Sequence, residues 1–170
     1  MVAGLWPVHK GRVTRPSNLL LVPQKPYSYS GSLGQQVSYP DVSNVNVPAA
    51  LAALDRAGLS YLVGRFKEGL DAVQVWEDTL SLGEQQRIGF ARLFYFALLH
   101  PNASVFAVLD ECSDAVSMDQ ERRLFDILRE LRVTCVTISK RISLTEYHDI
   151  ELNCGAENQK GFVIRKVSSK

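Results

Sequence analysis

The stretch Val105-Phe106-Ala107-Val108-Leu109-Asp110-Glu111 is an uninterrupted apolar run that ends in two acidic residues. Such a run is typical of a strand buried on both faces of a parallel sheet. A helical pattern over 120–131 follows it, and then a second apolar run, Val133–Ile138. Strand, helix and strand form a βαβ unit, so we expect the two strands to lie parallel with a right-handed crossover. The sequence therefore predicts the α/β fold class.

The two acids that close the first strand are candidates for catalysis. Ligands of open α/β sheets bind beyond the carboxyl ends of the strands, which is where Asp110 and Glu111 stand. Asp110 would hold Mg²⁺ through its hydration shell, and Glu111 would orient and deprotonate an attacking water. The alternative for this segment is that the acids cap a helix or solvate a loop. These residues alone leave both interpretations open.

A second informative segment is Leu80-Ser81-Leu82-Gly83-Glu84-Gln85-Gln86-Arg87. Ser81 and Glu84 have the spacing of a capping box, which predicts Ser81 as the N-cap of a helix that continues through Leu93. The free amides and partial positive charge of such a helix end suit a phosphate, and Gly83 has no side chain to block a close approach. The alternative is a well-capped helix without a ligand.

The first forty residues predict short strands and turns. Leu19–Val22 is an apolar run stopped by Pro23, and residues 24–32 predict an exposed loop. Gln24, at the start of this loop, is a candidate ligand contact because binding residues concentrate on loops. The alternative is that it belongs to a solvated turn.

The region from Pro48 to residue 64 differs in composition. Its alanine- and leucine-rich pattern predicts a small helical insert that is broken at Gly58 and Gly64 and extends towards Trp76.

Composition limits the possible functions. The chain has 170 residues, of which 46% are hydrophobic and 22% charged, as in an ordinary globular domain. Its formal charge of +1 gives no reason to expect a nucleic-acid partner. The three cysteines are odd in number and form no Cys-x-x-Cys pair, which favours a reducing compartment. No apolar run approaches the roughly 20 residues that a membrane helix needs.

Together these segments resemble the nucleotide-binding domain of ABC transporters over nearly the whole chain. The resemblance implies a P-loop NTPase-like (RecA-like) parallel sheet with a small helical subdomain, binding ATP and Mg²⁺. By this resemblance, the residues that bind the nucleotide are Gln24 of the Q-loop, Ser81, Leu82, Gly83 and Glu84 of the signature motif, and Lys140. Asp110 and Gln24 would bind magnesium, and Glu111, at the end of the Walker B strand, would be the catalytic residue. The D-loop would consist of Asp114, Ala115, Val116 and Ser117.

Four parts of the sequence are similar to subfamily D, the half-size transporters that import fatty acyl-CoA esters into peroxisomes. They are Gly4-Leu5-Trp6-Pro7, Val22-Pro23-Gln24-Lys25-Pro26-Tyr27, Gly31-Ser32-Leu33 with Val37-Ser38-Tyr39-Pro40, and Leu109-Asp110-Glu111-Cys112. A bacterial and plastid group shares the Val-Pro-Gln and signature features. The resemblance implies a second nucleotide-binding domain and a transmembrane domain as partners. It also implies a location on the cytosolic face of a membrane, that of the peroxisome.

The chain departs from the family pattern in three ways. None of its 11 glycines is followed by lysine, so it contains no Gly-x-x-x-x-Gly-Lys-Ser/Thr phosphate loop, and we expect that N-terminal part to lie upstream of Met1. Lys140 stands where the family has its switch histidine, and a lysine cannot accept a hydrogen bond, so hydrolysis should suffer. Residues 96–104 make the link from the signature helix to Walker B longer than usual.

The predicted organisation is one partial domain over 1–170. It comprises a strand and Q-loop region at 1–42, a helical subdomain at 43–82, and the signature helix, Walker B, D-loop and C-terminal core at 83–170. The favoured function is that of an ABC ATPase domain driving transport. The alternatives are a non-catalytic cassette that completes a partner's ATP site through its signature, and a DNA-repair ATPase, which is disfavoured because the chain has no long coiled coil.

Overall fold

The computed structural model describes residue 7, residues 9–154 and residues 161–167, so that Gly4-Leu5-Trp6 of the subfamily D resemblance lies outside the described residues. The chain falls into two compact units that divide after Ile138. In chain order, the elements of the first unit are β1 (Leu19–Val22), α1 (Leu33–Ser38), α2 (Val47–Arg56), α3 (Tyr61–Arg65), a 3₁₀ turn (Gly69–Asp71), α4 (Trp76–Thr79), α5 (Leu82–Leu99), β2 (Phe106–Asp110), α6 (Met118–Glu130) and β3 (Thr134–Ile138).

The sheet of the first unit is parallel and ordered β1-β2-β3. Val22 pairs with Leu109, and Asp110 pairs with Ile138, so the carboxyl ends of the strands meet at one edge. Helix α6 connects β2 to β3, which confirms the predicted βαβ unit and the α/β class. Strand β2 begins one residue later than Val105 and ends at Asp110, so Glu111 is the first residue after it.

The two faces of this sheet differ in burial. Val22, Ala107 and Leu109 are buried on one face. On the other, Phe106 and Val108 are only half-buried. In the described part of the chain β2 is therefore fully buried on one face only, which corrects the prediction that both of its faces are buried. The reason is that an apolar run indicates which side chains tolerate burial, but it does not indicate whether another element of the fold covers them.

The helical insert differs from the prediction in detail. Helix α2 starts at the N-cap Asn46 with Pro48 in its first turn, and Gly58 follows its end with a left-handed φ of 67°. Gly64 does not break the helix but lies inside α3. Helix α1 was not predicted at all, although Ser32 and Gln35 form a capping box at its start.

Helix α5 is the longest helix of the described residues at 18 residues, and it runs through the core. It contacts α1, α2 and β1. Phe90 is fully buried and its ring contacts those of Phe94 and Phe125. Because α5 continues to Leu99, residues 96–99 belong to the helix, which corrects the long link expected over 96–104.

The second unit contains a 3₁₀ helix (Ile142–Tyr147) and an antiparallel pair, β4 (Ile150–Cys154) and β5 (Phe162–Lys166). Lys140 belongs to this unit and is exposed. Across the part of the chain that the structure describes, no helix combines the length and apolar character needed to cross a membrane.

Replacing Phe90 with alanine tests the central position of α5. The loss of a fully buried ring should lower the free energy of unfolding by about 3–5 kcal/mol, as measured by urea denaturation. Leu99→Ala is the matched control on the same helix, because Leu99 is 40% exposed. It should cost less than about 1 kcal/mol. Equal losses would mean that α5 is not the centre of the core.

Candidate functional site

The ends of β1 and β2 bring three of the predicted site residues together. The side-chain amide nitrogen of Gln24 lies 3.3 Å from Oε2 of Glu111 and 3.3 Å from Oδ2 of Asp114. These contacts follow from the register of the sheet. Because Val22 of β1 is paired with Leu109 of β2, the residues that follow the two strands leave the sheet at the same edge. Asp110, the last residue of β2, is exposed at that edge.

Glu111 has an unusual backbone conformation. Its φ is 44°, in the left-handed region that costs a residue with a side chain about 1–2 kcal/mol. Its amide donates to the carbonyl of Ile138 at 2.9 Å, so the turn is held by the neighbouring strand. Backbone strain of this kind concentrates at functional sites, where surrounding structure maintains it.

The segment that follows Glu111 contains both exposed residues and residues that support the fold. Asp114 and Ala115 are exposed, whereas Val116 is buried. Ser117 is the N-cap of α6. Cys112 is buried, and this burial raises the pKa of its thiol to about 12, so the thiol stays protonated at neutral pH.

The signature segment forms the predicted capping box. Ser81 is the N-cap of α5, and its hydroxyl oxygen accepts from the amide of Glu84 at 3.3 Å. In return, Oε2 of Glu84 accepts from the amide of Ser81 at 2.7 Å and from its hydroxyl at 2.8 Å. The predicted helix start at Ser81 is therefore confirmed.

Tyr61 and Arg87 support this helix end, and the sequence did not indicate either contact. The hydroxyl of Tyr61 donates to Oε1 of Glu84, and Arg87 donates to the carbonyl of Gly58 at 2.7 Å and to the Tyr61 oxygen at 3.5 Å. Burial by itself would raise the pKa of Glu84, but hydrogen bonds from Tyr61 and Ser81 outweigh it and lower the pKa below 4.5. Glu84 is therefore a carboxylate at neutral pH.

The signature helix lies directly against the D-loop. A Cβ atom added at Gly83 would stand 2.8 Å from the carbonyl oxygen of Ala115. Only glycine leaves room for this approach without a shift of the backbone. The signature and the D-loop of the same chain are therefore in contact.

A short ion pair connects the Q-loop to the segment before the signature. Nζ of Lys25 lies 2.5 Å from Oε1 of Glu77, and both side chains are exposed. Gln85 donates to the carbonyls of Glu77 and Leu80 at 2.9 Å each, which fixes α4 to the start of α5. Exposed ion pairs contribute little to the free energy of folding. The Lys25–Glu77 pair therefore matters chiefly for the position of the Q-loop relative to α4.

The donor set at the sheet edge suits magnesium. Carboxylate and amide oxygens are the protein ligands that Mg²⁺ takes, and it usually uses one or two of them together with substrate phosphates and waters. Asp110, Glu111 and Gln24 offer such groups. Residues 9–154 and 161–167 contain no group of three or more His, Cys, Asp or Glu side chains placed to hold a metal.

The start of α5 suits an anion, with one complication. The amide groups of an 18-residue helix give its N-terminus a partial positive charge. Glu84 already places a carboxylate there, bonded to both the amide and the hydroxyl of Ser81. Lys140 lies in the second unit, and its role towards a nucleotide stays a prediction.

Comparison with known proteins identifies ABC transporter relatives, several of them named as subfamily D members, although no family model matches the chain. The chain is 39% identical over 157 residues to ATP-binding cassette sub-family D member 3 of Mus musculus, covering 88% of this chain and 23% of the relative. It is 39% identical over 170 residues to the lysosomal cobalamin transporter ABCD4 of Homo sapiens, covering 91% and 27%.

A third relative, ABC transporter D family member 1 of Arabidopsis thaliana, is 35% identical over 179 residues, covering 87% of this chain and 13% of its own length. The chain thus spans between 13% and 27% of the length of these relatives.

Among solved structures, a bacterial Atm1-family ABC exporter with ATP bound matches with a TM-score of 0.66. The match covers 79% of this chain and 23% of that one, at 23% identity. At this identity the match concerns the fold alone, and it confirms the P-loop NTPase-like class.

Replacing Gly83 with alanine tests the contact between signature and D-loop. The new methyl group would collide with the backbone of Ala115, so we expect a loss of about 1–3 kcal/mol in the free energy of unfolding. This is the opposite of alanine's usual advantage over glycine in a helix, about 1 kcal/mol. Gly64→Ala in α3 is the control, since no atom lies within 4 Å of its added Cβ, and it should not destabilise. Similar effects of the two changes would contradict the contact.

A second prediction concerns the pKa of Glu84. Because its pKa is lowered in the folded chain, its stabilising contribution is present above pH 4.5 and is lost as the pH falls through the folded value. Removing one donor with Tyr61→Phe should raise the pKa of Glu84, as followed by ¹³C NMR titration of its carboxyl carbon. Tyr27→Phe, at an exposed tyrosine elsewhere, should leave the titration unchanged. An unaltered midpoint in Tyr61→Phe would contradict the hydrogen bond.

Proposed function

Because this chain is an ABC transporter ATPase cassette that resembles those of subfamily D, we propose that it couples the binding and hydrolysis of ATP to transmembrane transport. The observation that carries the proposal is the cluster at the edge of the sheet, in which the Gln24 amide lies 3.3 Å from the carboxylates of Glu111 and Asp114. This cluster unites residues from two segments that are more than 80 positions apart in the sequence. Their shared position is what a phosphate-transfer site requires.

Each residue of the cluster has a proposed role. Asp110 holds the hydrated Mg²⁺, and Gln24 offers its amide oxygen to the same ion once the side chain turns from the carboxylates. Glu111 orients the attacking water and accepts its proton. When bound, Mg²⁺ neutralises charge on the phosphates of ATP. The sequence itself contains no Gly-x-x-x-x-Gly-Lys-Ser/Thr loop to hold these phosphates.

The signature segment is proposed to serve a nucleotide held mainly by a second cassette. Ser81, Leu82 and Gly83 are at the start of α5, where Ser81 and Leu82 are exposed. Backbone amides there are suited to a phosphate, and Glu84 keeps the turn in its capped form. A second nucleotide-binding domain is therefore the first proposed partner.

A transmembrane domain is the second proposed partner. A groove of about 570 Å³ lies between the segment after the Q-loop and the segment before the signature. Val73 and Val75 line it, and each is 66% exposed. Exposed apolar side chains around a groove favour contact with another protein surface, and we propose that a cytosolic segment of the transmembrane domain occupies it.

The proposed cargo is a fatty acyl-CoA or related lipid, and the proposed location is the cytosolic face of the peroxisomal membrane. Both rest on the resemblance to subfamily D. One relative is itself named a lysosomal cobalamin transporter, so transport assays should include cobalamin as a competing cargo.

A second candidate function is a non-catalytic cassette that lends only its signature to an intact partner. One feature of the sequence favours it, namely that Lys140-Arg141 stands where the family has its His-Arg pair. In this case Glu111 would have no catalytic role, whereas Ser81 would remain essential.

The two candidates are separated by mixing this chain with a subfamily D cassette that carries its own phosphate loop and measuring ATP hydrolysis. The chain alone should show no turnover and should stimulate the partner. Ser81→Arg should reduce this stimulation at least tenfold, because it removes the cap and fills the face of the amides with a long side chain. Ser43→Arg, at an exposed serine, is the control and should preserve it.

Glu111→Gln decides between the candidates in the same assay. A further loss of turnover supports a catalytic role for the acid, and retained stimulation supports the signature-only function. Stimulation that persists in Ser81→Arg would contradict both.

A further inference from the structure

Gln86 lies on helix α5 and touches both loops of the site. Its side chain is fully buried, with 0% exposure. Its amide nitrogen donates to the carbonyl oxygen of Gln24 at 3.1 Å, and its amide oxygen accepts from the backbone N–H of Ala115 at 2.8 Å. Because one partner is an acceptor and the other a donor, only one orientation of the side-chain amide satisfies both.

The residues three positions before and after Gln86 bring the same loops close to the helix. Positions 83, 86 and 89 share one face of α5. A Cβ atom at Gly83 would lie 2.8 Å from the Ala115 carbonyl oxygen. One at Gly89 would lie 3.0 Å from Cγ1 of Val22 and 3.2 Å from Cγ of Pro26. The face therefore admits the D-loop at one end and the Q-loop at the other, with Gln86 between them.

We propose that Gln86 is a positioning residue that ties the Q-loop and the D-loop to the signature helix, so that the three segments keep one arrangement. It acts through Gln24, whose side chain lies 3.3 Å from both Glu111 and Asp114, and through the Ala115 amide. A displacement of the signature helix is thereby transmitted to the residues at the catalytic edge. The relevance of this arrangement to ATP hydrolysis rests on the proposed function, whereas the coupling itself exists without a nucleotide.

The energetic basis is the burial of the Gln86 side-chain amide, which is fully enclosed and is satisfied by one backbone group from each loop. A buried amide that loses a partner is unfavourable, so moving either loop away from the helix would carry a free-energy cost at Gln86. Neighbouring Gln85 provides a contrast. It is also buried, yet its side chain bonds only to the carbonyls of Glu77 and Leu80, away from both loops.

The test compares Gln86→Met, Gln86→Glu and the control Gln85→Met in the nucleotide-free chain by NMR. Methionine keeps the length of the side chain and removes both hydrogen bonds. In Gln86→Met, hydrogen exchange of the Ala115 amide should accelerate at least tenfold and the ¹³C shift of the Gln24 carbonyl should change. In Gln85→Met both signals should stay as in the unmodified chain.

Gln86→Glu separates positioning from general support. A carboxylate retains the acceptor for Ala115 but has no donor for Gln24, so only the Gln24 signal should change. A uniform rise in exchange throughout α5, or equal effects of Gln85→Met and Gln86→Met, would overturn the proposal. If Gln86→Met does not fold, the scalar coupling across the Ala115 N–H···Oε1 bond in the unmodified chain decides instead, and its absence overturns the proposal. None of these readouts depends on ATP, so they are independent of whether the proposed function holds.

Discussion

The burial of helix α5 is the constraint on which the rest of the structure depends. The helix carries the core through Phe90 and Phe94, and it carries the signature motif in its first turn. Its N-terminus is exposed, as the proposed binding of a nucleotide phosphate requires, while the following residues are fully enclosed. The transition occurs within a few residues, from exposed Leu82 to completely buried Gln86. The signature cannot change its orientation without disturbing the packing behind it, because close-packed interiors resist small displacements.

Local patterns in the sequence predicted the features that depend on local interactions. The capping box of Ser81 and Glu84 was found from its spacing alone, since both partners lie in one turn. The parallel βαβ unit followed from two apolar runs separated by a helical pattern. The bounds of the three parallel strands were within one residue because charged and turn-forming residues flank these runs, whereas the antiparallel pair β4 and β5 was not predicted. Helix α1 was missed, although its Ser32–Gln35 capping box had the same kind of local signal.

Contacts between distant segments could not be predicted in the same way. Tyr61 reaches Glu84 and Gln86 reaches Gln24 only because the helices and strands pack as they do. No spacing in the sequence marks such a pair. The exposure of one sheet face is another such property, because Val136 is as apolar as a core residue and yet 61% exposed. Periodicity specifies the shape of an element, while tertiary packing specifies its neighbours.

The charge at the start of α5 links the stability of the signature to its chemistry. Hydrogen bonds from Tyr61 and Ser81 lower the pKa of Glu84, so a carboxylate stands at the helix end that is suited to a phosphate. Two anions near the same helix end repel each other, and the repulsion grows as water is excluded. The Tyr61 hydroxyl draws one carboxylate oxygen towards α3, and Arg87 adds a positive charge beside that hydroxyl. In the function we propose, a phosphate approaching the opposite side of the turn would meet the backbone amides of the helix start and a carboxylate whose charge is partly compensated. Helix α3 would then tune the affinity of the signature for an anion, although it would provide no ligand itself.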